Sequence, residues 1–156
     1  MRTVAPYEMG ITVEDLDREL AFYAGVLGLR VVSEIDVPGE KSAWSGLAPE
    51  GYRIVRLETP SGERLKLARP ARAPEDVPPA SWAMQRRGAA YLTFIVDDLD
   101  ALHVRLVERG VDVRSRGKVE VRPGLWLVLV ADPEGNYVEF LQYADLHAYR
   151  PRPGAG

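Results

Sequence analysis

The sequence predicts an α+β fold: two pseudo-repeated βαβββ modules forming a curled mixed sheet around a cleft. Three observations carry this expectation. Glu8-Met-Gly-Ile-Thr-Val-Glu-Asp-Leu-Asp17 is matched 83 residues later by Tyr91-Leu-Thr-Phe-Ile-Val-Asp-Asp-Leu-Asp100. Thr59-Pro-Ser-Gly-Glu-Arg-Leu-Lys-Leu67 is matched 73 residues later by Asp132-Pro-Glu-Gly-Asn-Tyr-Val-Glu-Phe140. Both opening segments also alternate. Met9, Ile11 and Val13 oppose Glu8, Gly10 and Thr12, and Leu92, Phe94 and Val96 oppose Tyr91, Thr93 and Ile95.

Alternation with period two is the mark of a strand with one face on a core. The other face is then free to line a cavity, and it carries Glu8 and Tyr91. Each strand runs into Asp-Leu-Asp and a helical pattern. Leu16, Leu20, Tyr23 and Leu27 make the first stripe, with Asp15 as the N-cap and Gly28 as the stop. Three strands follow, at 29–35, 52–58 and 64–68, and Trp44 falls in a Gly/Ser-containing loop between the first two. Residues 70–88 are rich in Pro, Ala and Arg and read as a linker. The second helix shows Leu99, Leu102 and Leu106, with Asp98 as N-cap and Gly110 as stop. Its strands fall at 111–114, 125–131 and 137–142. Thr-Pro-Ser-Gly and Asp-Pro-Glu-Gly are tight turns before the closing strands, because Pro presets φ and Gly accepts positive φ. The expected layout is a first module over 1–69, the linker over 70–88, a second module over 89–143 and a C-terminal tail over 144–156, loose from Tyr149 onward.

The 156 residues fit one compact domain or two small modules sharing a core. With 20 basic and 23 acidic residues the net charge is −3, which gives no electrostatic case for nucleic acid. The absence of cysteine excludes disulfides, thiolate metal sites and a cysteine nucleophile. No apolar run reaches the ~20 residues of a membrane span, and residues 1–7 lack the apolar core of a signal peptide. The cytoplasm is the expected compartment.

The opening strand before Val-Glu-Asp-Leu-Asp, then Ala21-Phe22-Tyr23 and Leu27-Gly28-Leu29, and the closing Asp132-Pro-Glu-Gly-Asn-Tyr-Val-Glu-Phe140 resemble the vicinal oxygen chelate superfamily. That group includes glyoxalase I, extradiol dioxygenases, methylmalonyl-CoA epimerase, and fosfomycin and bleomycin resistance proteins. The resemblance covers roughly residues 7–143. It implies paired βαβββ modules around a cleft, a small-molecule ligand and often a homodimer. In its metal-dependent members the ligands sit on the first and last strands of each module. Those positions fall here on Glu8, Lys66, Tyr91 and Glu139.

This quartet offers two carboxylates, a phenol and an ammonium, whereas divalent ions in such clefts need several imidazole or carboxylate ligands. The two histidines, His103 and His147, match no ligand position. An extradiol iron site is therefore not expected, and neither a metal nor another cofactor is. Lys66 has donors and no lone pair. Beside Glu8 and Glu139 it could supply the positive charge of the missing ion, with the Tyr91 hydroxyl as an added donor. Glu8 or Glu139 could then take a proton next to a carbonyl while Lys66 or Tyr91 stabilises the oxyanion. A structural salt bridge closing a dead site is the plainer reading.

The expected function is a metal-independent protein acting on a small organic molecule, of lyase, isomerase or cyclase type. The alternatives are a non-catalytic binder such as an antibiotic-resistance protein, and a glyoxalase-like metal enzyme with relocated ligands. Trp44, Tyr52 and Trp126 are candidate pocket walls. Trp82 and Met84 could pack at the cleft mouth or on a dimer partner. Arg56, with Arg53, is a candidate for an anionic substrate.

Overall fold

The computed structural model describes residues 4–78 and 80–150. The chain divides into two units, residues 1–78 and 79–156. Residues 151–156 of the expected tail lie outside the described residues. The fold is α+β with two mixed sheets.

In the first unit β1 (Glu8–Thr12) leads into α1 (Leu16–Leu20), followed by β2 (Arg30–Pro38), α2 (Gly39–Ser45), β3 (Gly51–Glu58) and β4 (Arg64–Pro70). The sheet order is β1-β4-β3-β2, with β1 parallel to β4 and the other pairs antiparallel. The expected alternation holds: Val55, Leu57, Leu65 and Leu67 are buried with Val13. Asp15 caps α1 by accepting from the Arg18 amide at 3.0 Å.

The first helix departs from the expected stripe. After Leu20 the chain widens into a π-helix, Ala21–Val26, closed by the Leu27 amide on the Phe22 carbonyl at 3.0 Å. The added residue per turn rotates the buried face. Phe22 and Glu19 are buried beside Leu16 and Tyr23, whereas Leu20 and Leu27 are only half-buried. Gly28 ends the segment at φ 79°, as expected of a helix stop. A second correction concerns Trp44. It lies on a short helix, α2, rather than in a loop, and Gly46 terminates that helix at φ 74°.

The second unit holds β5 (Leu92–Ile95), α3 (Leu99–Glu108), β6 (Asp112–Val113), β7 (Val119–Arg122), β8 (Leu125–Ala131), β9 (Tyr137–Tyr143) and α4 (Leu146–Tyr149). The order is β5-β9-β8-β6, with β7 also on β8. Leu99, Leu102 and Leu106 are buried, as their spacing requires. Strand β7 and helix α4 are additions to the expected layout. β7 is exposed along its length, so no alternating pattern marks it. α4 is nucleated by a cap, Asp145 accepting from the Ala148 amide at 2.9 Å.

The two matched turns have the same geometry. The Gly62 amide bonds the Thr59 carbonyl and the Gly135 amide bonds the Asp132 carbonyl, each at 3.0 Å. Gly62 and Gly135 take φ 92° and 88°, where a side chain would strain the backbone. The registers match as well. Gly10 pairs with Lys66 in the first unit, and Thr93 pairs with Glu139 in the second. Among the described residues no helix is long and apolar enough to cross a membrane.

Candidate functional site

The face of the first sheet turned away from the buried leucines is charged. One cross-strand row reads Glu8, Arg64, Glu58, Arg30, and the next reads Gly10, Lys66, Arg56, Ser33. Opposed residues on one face of a sheet are close enough for their side chains to meet. Glu8 consequently lies among three cations. Its Oε2 is 3.6 Å from Arg56 Nε and 3.8 Å from Lys66 Nζ, and its Oε1 is 3.6 Å from Arg64 Nη1. The Glu8, Lys66 and Arg56 side chains are 30%, 31% and 25% exposed, so water screens these ion pairs only in part.

Glu58 is held more tightly. It accepts from Arg64 Nε at 2.8 Å and from Arg30 Nη2 at 2.5 Å. The hydrogen bond from Arg64 holds its carboxyl below the ordinary carboxylate range, with Arg30 adding to the effect. The same bond raises the Arg64 guanidinium.

In the second unit Glu139 sits on the corresponding strand, and its Oε2 accepts from the Thr93 hydroxyl at 2.8 Å. Tyr91 lies just before β5, two residues from Thr93 and 37% exposed. On the same parity of β9, burial raises the Tyr143 hydroxyl above the usual phenol range, aided by the bond it shares with Tyr149. The two rings stack at 4.2 Å.

The expected site residues thus fall as follows. Glu8 and Lys66 are brought together, and Arg56 joins them. Arg53 does not, because its odd position puts it on the opposite face of β3, where it donates to Glu34 at 2.7 Å. Tyr52 is half-buried at the start of β3 on the Arg56 face. Trp44 is 78% exposed on α2. Trp126 shares its parity with the buried Val128 and Val130 and lies under the Lys118 ammonium, 5.2 Å from the ring centroid. Trp82 and Met84 are 76% and 78% exposed. Sequence reasoning missed Arg64 and Thr93. Both were legible in principle, as the residues that a parallel pairing of opening and closing strands places beside Glu8 and Glu139.

A divalent ion is poorly served by these residues. At Glu8 it would meet three positive side chains, and Lys66 cannot ligate while charged. Among the described residues no group of three or more His, Asp or Glu side chains is placed to hold a metal.

Tandem βαβββ units, each pairing its opening strand parallel to its closing strand, define the structural class. The chain belongs to the Glyoxalase/Bleomycin resistance protein/Dioxygenase superfamily, whose family model matches residues 5–140. It is similar in structure to a glyoxalase family protein from Bacillus cereus, at 22% identity and a TM-score of 0.78, covering 93% of this chain and 97% of that one. A glyoxalase/bleomycin resistance protein/dioxygenase domain from Frankia sp. is similar at 19% identity and a TM-score of 0.69, over 96% and 98% of the two chains. The trypanothione-dependent glyoxalase I of Leishmania major is similar at 21% identity and a TM-score of 0.56, over 86% and 84%. No curated protein matches the chain.

Proposed function

We propose that this protein is a metal-independent member of its superfamily that acts on a small organic molecule by acid–base chemistry of lyase, isomerase or cyclase type. The observation that carries the reading is the setting of Glu8, a carboxylate at a metal-ligand position of the superfamily that lies among Lys66, Arg56 and Arg64 at 3.6–3.8 Å. Fixed cations supply there the positive charge that an ion supplies in metal-dependent relatives. Such preorganised charge stabilises a developing oxyanion without reorganisation.

Roles follow from chemistry. Glu139, one oxygen of which is fixed by Thr93, is the carboxylate oriented to take a proton. The Tyr91 hydroxyl is an additional donor of the same unit, and within the first unit Lys66 is the electrophilic group with Glu8 its charge-balancing neighbour. The half-buried Tyr52 is a wall for the ligand. A cytoplasmic homodimer goes with this proposal; the end strands of the two sheets are β1 and β2 in the first unit and β5 and β6 in the second.

A second reading, a non-catalytic small-molecule binder, is favoured by one observation: the only carboxylate of the first-unit pair is already neutralised by three cations.

The test combines elemental analysis of the purified protein with a thermal-shift screen of small metabolites, with and without chelator. The expected result is less than stoichiometric divalent metal and ligand shifts that the chelator leaves unchanged. A tightly held stoichiometric ion would overturn the proposal. For any hit, Glu139→Gln should abolish turnover and leave binding, whereas a hit that is bound but never converted supports the binder.

A further inference from the structure

The charged rows of the first sheet end abruptly. Two residues along each strand, the same face carries Ile54, Ala68, Thr12 and Ile35, and beyond them Tyr52 and Pro70. One face of one unit is therefore cationic at one end and apolar at the other. Strand rise puts Ile54 ~7 Å and Tyr52 ~13 Å from Arg56 along β3.

The cationic end is not balanced from within. Arg30, Arg56, Arg64 and Lys66 share two carboxylates, Glu8 and Glu58. Glu58 is committed to Arg30 and Arg64 by short hydrogen bonds. Among the described residues the one carboxylate beside Arg56 and Lys66 is Glu8, at separations beyond hydrogen-bond reach. Among the described residues the Lys66 ammonium makes no hydrogen bond, and the Arg56 guanidinium reaches only the Ser33 hydroxyl at 3.5 Å. Half-buried donors of this kind favour an acceptor that approaches to bonding distance. Gly10 faces Lys66 across the sheet with no side chain, and the Lys66 stem lies over it, with Cε 3.6 Å from where a Cβ would stand.

We infer that this face binds a small organic oxyanion with an apolar body. The anionic oxygens take the free N–H groups of Arg56 and Lys66, and the body lies along Ala68 and Ile54 toward Tyr52. Glu8 is the internal counter-ion that holds the two cations apart from solvent anions until the ligand arrives. The inference names the substrate class for the function proposed above and rests on that reading, but its readout is binding alone.

Titration calorimetry of the intact protein at low salt provides the test, with four probes: 3-phenylpropionate, phenyl phosphate, 3-phenylpropan-1-ol and acetate. At least one of the two aryl anions should bind, and the stronger of them identifies the head group as carboxylate or phosphate. The uncharged alcohol and the bodyless acetate should each bind about tenfold or more weakly, the loss of a charge-assisted hydrogen bond or of the buried ring. Arg56→Met and Lys66→Met should each weaken the aryl anion about tenfold. Glu8→Gln, which removes the competing carboxylate and keeps the shape, should tighten it. Circular dichroism checks that each variant is folded. The inference is overturned if neither aryl anion binds, if Arg56→Met and Lys66→Met leave binding unchanged, or if Glu8→Gln weakens it. A stoichiometric metal would sink the proposed function without affecting probe affinity, so the two failures are distinguishable.

Discussion

Replacing Glu8 by Gln isolates the charge at the centre of the cationic face. The amide keeps the size of the side chain and removes only its charge. Three ion pairs are lost, to Arg56 and Arg64 at 3.6 Å and to Lys66 at 3.8 Å. A partly exposed pair of this length contributes roughly 0.2–1 kcal/mol. Three pairs sharing one carboxylate therefore amount to about 1–2 kcal/mol. The variant also leaves Arg56 and Lys66 beside one another with no neighbouring carboxylate among the described residues, which pushes the loss toward the upper end. For a chain of this size the melting temperature should fall by roughly 2–8 °C. Because the origin is Coulombic, the difference from wild type should shrink between 0.05 and 1 M KCl, as the screening length falls to about 3 Å. Urea unfolding at both salt concentrations is the assay. Glu34→Gln, which removes an exposed pair to Arg53 on the other face, is the reference and should leave the urea midpoint close to that of wild type. A Glu8→Gln protein as stable as wild type at low salt, or one whose loss is indifferent to salt, would refute the picture of a carboxylate held by three cations.

Two further outcomes follow from the same contacts. The Glu58 carboxyl is held below its ordinary range by Arg64, so its contribution to stability is complete above the unfolded carboxylate value of ~4.3 and is lost as pH falls through the folded value. Urea midpoints measured from pH 7 to pH 3 should therefore fall less steeply below about pH 4.5 in Glu58→Gln than in wild type. Asp132, buried in the second turn, accepts from the Glu134 and Asn136 amides at 3.1 and 2.8 Å and from the Asn136 side chain at 2.9 Å. Asp132→Ala should cost about 1–3 kcal/mol in urea unfolding, with Asp132→Asn recovering part of it.

Much of the fold was legible because its signals are local. Alternation over six residues is enough to place Met9, Ile11 and Val13 on the core side of β1. The two Asp N-caps and the glycines at 28 and 110 act within one helical turn, and each does in the structure what its residue type favours. The elements that escaped lack such signals. β7 is exposed throughout, so its pairing with β8 leaves no apolar pattern in the sequence. The π-helix after Leu20 depends on packing around Phe22 and Tyr23, whose rings meet edge to face at 4.9 Å, and an apolar stripe cannot report it. α2 follows a proline and holds no apolar repeat.

The candidate site divides along the same line. The repeat and strand parity put Glu8 and Tyr91 at matched places facing away from the core, and the resemblance, which places ligands on the closing strands, added the matched pair Lys66 and Glu139. Their partners depend in addition on which strands pair. Arg64 stands beside Glu8 only because β1 and β4 pair in parallel, and Arg56 arrives from a third strand, β3. Thr93 meets Glu139 across a gap of 46 residues for the same reason. Sequence alone thus determined which residues face away from the core. Only the tertiary structure, by bringing distant strands into register, decided that the carboxylate among them would lie within reach of three cations.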